Sequence, residues 1–137
     1  MAKKNFVPLS KDKCALGKLI TALRTEKNIS LRKLADAIGL SPSNLSYIEN
    51  GTNVPTAKLY QKIIEVLTPP PEKHRELDRL YTAIRNAPPP DACEVLLQNA
   101  ELVEKIRLLK GVQLSPQQLK TIEELFTTFK KQEGDNE

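Results

Sequence analysis

Tryptophan is absent from this 137-residue chain, and phenylalanine and tyrosine number three each. A core must therefore be filled by Leu, Ile, Val and Ala, and small aliphatic residues at helical spacing suit a helix bundle. Only two cysteines occur, Cys14 and Cys93, far apart and without a CxxC or a nearby His pair. That argues against a disulfide framework or a zinc site, and both read as small buried hydrophobes. The single histidine, His74, stands between Lys73 and Arg75 and reads as a surface residue. There is no Ser-His-Asp set, no metal-ligand cluster and no Gly-rich phosphate loop, so the expectation is a non-enzyme with no cofactor and no metal. No apolar window reaches the roughly 18 residues of a membrane span, and the opening MAKKNFVPLSKDK lacks an apolar run of signal-peptide length. A cytoplasmic protein without membrane contact is expected. β-branched residues sit singly instead of alternating, so no strand is expected either.

What is present is an uneven charge. Residues 1–68 hold 11 Lys/Arg against 5 Asp/Glu, and residues 69–137 hold 10 against 12, so a front half of +6 precedes a back half of −2. A basic front half suits a polyanionic partner, although a solvated surface with chance asymmetry gives the same numbers.

The first 13 residues carry four lysines and Pro8 without periodicity and read as a flexible basic arm. From Cys14, the residues Leu16, Leu19, Ile20 and Leu23 recur at helical spacing to about Lys27, with a stop at Asn28. Three later stretches share one layout: Ile29-Ser30 with Leu34, Leu40-Ser41 with Leu45, and Leu114-Ser115 with Leu119. Each is an N-cap serine flanked by a hydrophobic staple pair. Pro42 and Pro116 suit the first helical position, and Gln118 completes a capping box with Ser115. Helices are predicted to begin near residues 31, 42 and 116. The second should end at Gly39 and the third at Asn50-Gly51, where a left-handed residue closes a helix. Thr56 caps a fourth, whose apolar face is Leu59, Ile63, Val66 and Leu67.

Pro69-Pro70-Pro71 is read as a domain boundary, although proline can also open the next helix. Leu77, Leu80, Tyr81 and Ile84 mark that helix. Pro88-Pro89-Pro90 is a second break, and Asp91 with Glu94 makes a capping-box-like start to a helical stretch over 92–110, interrupted near Asn99. A last helix over 116–131 carries Leu119, Ile122, Leu125, Phe126 and Phe129 on one stripe. Gln132–Glu137 reads as a polar, frayed tail. The division is thus an arm (1–13), a front domain (14–68) and a helical extension (69–137), all-α throughout.

Two short helices joined by Gly39-Leu40-Ser41 form a helix-turn-helix, in which the first braces the second and the second can lie in a DNA major groove. At about 100° per residue, Leu45 and Ile48 fall on the packed side of the third helix. Pro42, Ser43, Ser46 and Tyr47 then cluster on the free side. The serines can donate or accept hydrogen bonds at base edges. The Tyr47 ring can contact a thymine methyl, or its hydroxyl a phosphate. The face lacks Arg, Gln and Lys, which shifts weight towards phosphate contacts and DNA shape.

Leu23-Arg24, the Leu34-Ala35 of the second helix, Gly39 in the turn, the Ile48-Glu49-Asn50-Gly51 ending and Pro55 four residues later agree in order and spacing with one pattern. On these residues the stretch from about 14 to 67 resembles the phage-repressor (Cro/C1, or XRE) family of transcriptional regulators. The resemblance implies an N-terminal five-helix, lambda-repressor-like domain binding double-stranded DNA as a homodimer on a palindromic operator, to which the helices read after residue 68 add a C-terminal helical extension. By family position Pro42, Ser43, Ser46 and Tyr47 face the bases. Ser30 and Leu31 abut a phosphate through backbone N–H groups, although the family often carries Gln where Leu31 stands. Arg24 and Glu49 match a structural ion pair that braces the first helix against the third, and Arg24 can also face phosphate. The loop Asn50, Gly51, Thr52 and Asn53 runs along the sugar-phosphate backbone, where its amides, the Thr and Asn side chains and Lys58 can anchor phosphates. Lys11, Lys13 and Lys18 add to the field.

The helices after residue 68 are each too short to stand alone and must bury their stripes on one another, on the front domain or on a second copy. A dimerisation module is the leading reading, and a plain extension of a monomeric core is the other. For the whole chain, a dimeric repressor of a bacterial or phage operon leads. An antitoxin that neutralises a toxin through the C-terminal helices and autoregulates its operon is the alternative. An adaptor that keeps the fold without binding DNA, an activator, and a repressor inactivated by a partner protease also stay open.

Overall fold

A computed structural model describes residues 10–135, and every regular element among them is helical. In chain order these are α1 (Ser10–Glu26), α2 (Leu31–Ile38), α3 (Pro42–Glu49), α4 (Ala57–Leu67), α5 (Pro71–Arg85), α6 (Pro90–Gln98), α7 (Ala100–Ile106), a 3-10 turn (Arg107–Leu109) and α8 (Pro116–Asp135). The caps explain most of the starts. Ser30 Oγ accepts from Lys33 N–H at 3.1 Å, Ser41 Oγ from Asn44 N–H at 3.2 Å and Thr56 Oγ1 from Leu59 N–H at 3.2 Å. Each satisfies one of the amides that a first turn leaves without a carbonyl. At Ser115 both halves of the box form: Gln118 N–H donates to Ser115 Oγ at 3.2 Å, and Ser115 N–H donates to Gln118 Oε1 at 2.9 Å. Gly39 closes α2 at φ +71°, a conformation that side chains with a Cβ rarely adopt.

The chain divides into two compact units after Gln98. In the first, one core is built by Leu16, Ile20 and Leu23 of α1, Leu34, Ala35 and Ile38 of α2, Leu45 and Ile48 of α3, Tyr60, Ile63 and Leu67 of α4, and Leu77, Leu80, Tyr81 and Ile84 of α5. The division expected at residue 69 therefore falls inside this unit. Pro71 occupies the first position of α5, so the proline run opens a helix, the other role allowed for it, and does not mark a domain boundary. That helix packs on α1. Its Tyr81 ring stacks on Tyr60 with centroids 4.2 Å apart. The Tyr60 hydroxyl donates to Asp78 Oδ1 at 2.6 Å. Burial first, and the bonded carboxylate second, push the Tyr60 hydroxyl far above the ordinary tyrosine range.

Other boundaries shift in the same way. Helix α1 starts at Ser10, so residues 10–13 are helical where an arm was expected, and Asp12 in the first turn complements the helix dipole. The rest of the expected arm, residues 1–9, lies outside the described residues. Helix α6 starts at Pro90, which places Asp91 inside its first turn, where the carboxylate accepts from Ala92 N–H. Helix α8 continues through Asp135, so most of the expected frayed tail is helical, and residues 136–137 lie outside the described set. The cysteines are only partly buried: Cys14 Sγ sits 3.8 Å from Asn50 O and Cys93 Sγ 3.6 Å from Pro88 O.

The second unit contains α7, the 3-10 turn and α8. None of its described residues is buried. Leu119, Leu125, Phe126 and Phe129 of α8 are each about half exposed, and Leu108 is 79% exposed. Among the described residues no helix is long and apolar enough to cross a membrane.

Candidate nucleic-acid interface

Helix α3 is short, and its two apolar positions at i and i+3, Leu45 and Ile48, are buried at 0% and 4% exposure. This anchoring turns Ser43, Ser46 and Tyr47 outwards: all three are exposed, and Pro42 is half-buried at the first turn. These four side chains line one shallow recess together with Leu31 from the start of α2. A second recess continues from it, sharing Leu31 and Ser46 and adding Thr21, Arg24, Glu49 and Asn50. The geometry thus brings the four expected base-facing residues onto one surface beside the N-terminus of α2.

Arg24 and Glu49 pin α1 to the end of α3. Arg24 Nε donates to Glu49 Oε1 at 2.9 Å, with the two side chains only 16% and 9% exposed, and Arg24 Nη1 donates to Ile29 O at 2.9 Å. Thr21 Oγ1 donates to the same Glu49 oxygen at 2.7 Å. Much of the Arg24 guanidinium is therefore committed inside the domain. Thr21 is a third member of this cluster that sequence reading passed over. Its place on the Arg24 face of α1, three residues earlier, was the available signal.

The loop after α3 is held from within. Gly51 N–H donates to Ile48 O at 3.2 Å, and Thr52 and Asn53 N–H both donate to Tyr47 O, at 2.9 and 3.0 Å. Asn50 Oδ1 also accepts from Thr52 N–H. The loop amides expected to anchor phosphates are thus engaged by the chain itself, because the last backbone carbonyls of α3 lack intrahelical donors. That leaves the exposed Asn50, Thr52 and Asn53 side chains and Lys58, in the first turn of α4, as outward groups of this segment. Ser30 Oγ is likewise occupied as a cap, while the Leu31 amide opens α2, where no intrahelical carbonyl reaches. Arg32 and Lys33 follow it, both exposed. Sequence reading left them out because neither belongs to the repeated motif. Lys11 and Lys18 are exposed and Lys13 is half-buried.

Two further residues hold the surface in place and carried no sequence signal. Gly17 lets α1 approach the end of α3 so closely that a Cβ there would lie 2.6 Å from Ile48 O. Arg85, at the end of α5, donates through Nε and Nη2 to Pro55 O at 3.0 and 2.7 Å, and through Nη2 to Val54 O at 3.0 Å. It ties the loop that follows α3 to the last helix of the core. His74 Nε2 lies 3.6 Å from Asp78 Oδ1 on α5, away from this cluster in the chain. No group of three or more potential metal ligands occurs among the described residues.

Residues 20–70 match the family model described as helix-turn-helix, of the Cro/C1 (XRE) type. The front unit carries a Cro/C1-type helix-turn-helix domain. The match spans α2, the turn and α3 together with α4, and ends at Pro70 just before α5. This match supports a DNA-binding transcriptional regulator. Comparison with the curated proteins finds no match.

Proposed function

We propose that the protein is a dimeric, sequence-specific repressor that reads each half of a palindromic operator with the free face of α3. The observation that supports this reading best is the recess in which Pro42, Ser43, Ser46 and Tyr47 stand together, with the α2 N-terminus beside them. Small hydroxyls and one ring allow close approach to base edges, and an N-terminus whose first amides lack carbonyls suits a phosphate. Thr52, Asn53, Lys58, Arg32 and Lys33 then supply the backbone contacts that set register. With much of its guanidinium committed to Glu49 and Ile29, Arg24 acts chiefly by fixing α3.

Dimerisation falls to the helices of residues 99–137. Half-exposed Leu and Phe side chains on a helix with no buried residue among those described call for a partner surface, and a second copy supplies one. Joining two weak half-site readers converts the second contact into an intramolecular event. Half-sites would then lie roughly 34–36 Å apart, or a multiple of that. The antitoxin reading uses the same exposed helices to hold a toxin.

The test is fluorescence-anisotropy binding of the full chain to its own upstream DNA at two salt concentrations, beside a scrambled duplex, with sedimentation to give the copy number. Specific binding by a dimer, lost in Ser43→Ala/Tyr47→Ala, is the expected result. Equal binding to both duplexes would remove the operator-reading function. A monomer that forms a stable complex with the product of an adjacent gene would favour the antitoxin.

A further inference from the structure

The recess on α3 contains no charged side chain. Leu31, Pro42 and Tyr47 supply carbon, and Ser43 and Ser46 supply hydroxyls. Leu31 is held from below, because its inner part packs against the core. It is the second helix's contribution to a surface that α3 otherwise makes alone. Tyr47 is 47% exposed, so an apolar ring meets the solvent where a polar reader would ordinarily stand.

In the major groove the base edges offer donors and acceptors almost everywhere, and one apolar group, the C5-methyl of thymine, which sits next to the O4 acceptor. A carbon-lined recess flanked by hydroxyl donors matches that pair of features. It mismatches guanine, whose N7 and O6 are best met by two parallel donors of a guanidinium or ammonium group. We propose that Leu31, Pro42 and Tyr47 form a thymine-methyl subsite, with a serine hydroxyl of the same recess donating to the thymine O4, so that Leu31 is a specificity-determining residue. This rests on the operator-reading function proposed above and names the base that the site selects. It also gives the Leu31 side chain a role separate from that of its backbone amide.

The test begins with enrichment of binding duplexes from a randomised library by the full chain. The enriched duplex is then resynthesised with deoxyuridine in place of each thymine in turn, which removes one methyl group and leaves the hydrogen-bonding edge unchanged. Wild type is expected to lose about fourfold in affinity at one thymine per half-site, the effect of one buried methyl group. In Leu31→Ala that discrimination should vanish. In Leu31→Met, which keeps the volume, and in Lys58→Ala, which weakens binding overall, it should persist. Melting curves of each variant separate a lost contact from a lost fold, and the wild-type comparison of thymine with uracil needs no variant at all. An enriched duplex that binds equally well with uracil at every position overturns the subsite and leaves the operator-reading function standing. Full discrimination retained by Leu31→Ala also overturns it. No enriched duplex overturns both.

Discussion

Replacing Gly17 by alanine adds one methyl group at the crossing of α1 and α3. An ideal Cβ at that position lies 2.6 Å from both the Ile48 carbonyl oxygen and the Glu49 carbonyl carbon, and closer still to the Glu49 oxygen. Carbon–oxygen contacts normally settle at about 3.3–3.6 Å, so the helices must separate by nearly 1 Å. The obstruction is backbone at the end of α3 and cannot rotate away. Overpacking of this kind costs about 1–3 kcal/mol, and the rigid neighbour places the case at the upper end. Alanine recovers up to about 1 kcal/mol of helix propensity over glycine. The net expectation is a loss of about 2 kcal/mol, which for a unit of this size lowers Tm by about 10 °C. Gly134, also helical, has nothing within 4 Å of an added Cβ. Gly134→Ala therefore supplies the propensity gain without the clash and should melt no lower than wild type. Thermal unfolding followed by circular dichroism measures both. Because the shift acts on α3 through the Thr21–Arg24–Glu49 cluster, Gly17→Ala should also weaken DNA binding at temperatures where it is fully folded. A Gly17→Ala protein that melts at or above the wild-type temperature would refute the close-crossing argument.

Arg85→Ala removes three hydrogen bonds to the Val54 and Pro55 carbonyls. A loss of about 1–2 kcal/mol is expected by chemical denaturation, with faster amide exchange in the 50–56 loop. Tyr60 has its hydroxyl held protonated by burial and by Asp78. Its folded pKa lies above its unfolded one, so this contribution is complete below the unfolded value of about 10 and is lost as pH rises past it. Wild type should accordingly lose stability above about pH 10 more steeply than Tyr60→Phe, and parallel curves would contradict the assignment. Lys58→Ala should weaken binding similarly on all duplexes and make the slope of log affinity against log salt shallower by about 0.9, as one lost phosphate contact requires. An unchanged slope would remove Lys58 from the interface.

Local chemistry was legible without the fold. Ser30, Ser41, Thr56 and Ser115 announced four helix starts, because a capping hydroxyl acts within three residues of itself. Gly39 announced the turn, because its positive φ is a property of one residue. The 100° step separated Leu45 and Ile48 from Ser43, Ser46 and Tyr47 without any knowledge of what lay beneath. Contacts between residues distant in the chain left no such trace. The proline run at 69–71 reads as a domain boundary that can also open a helix, and only the packing of Leu77, Leu80, Tyr81 and Ile84 into the front core decided between them. Arg85 reaches back 30 residues to Pro55, and Gly17 meets a carbonyl 31 positions on. The Leu31 side chain joins the α3 surface only because the turn folds α2 beside it. Sequence alone thus determined which helices form and which of their faces are apolar, since caps and periodicity act over a few residues. The tertiary structure decided which faces meet and how closely, since that depends on the simultaneous placement of backbones that no local pattern encodes.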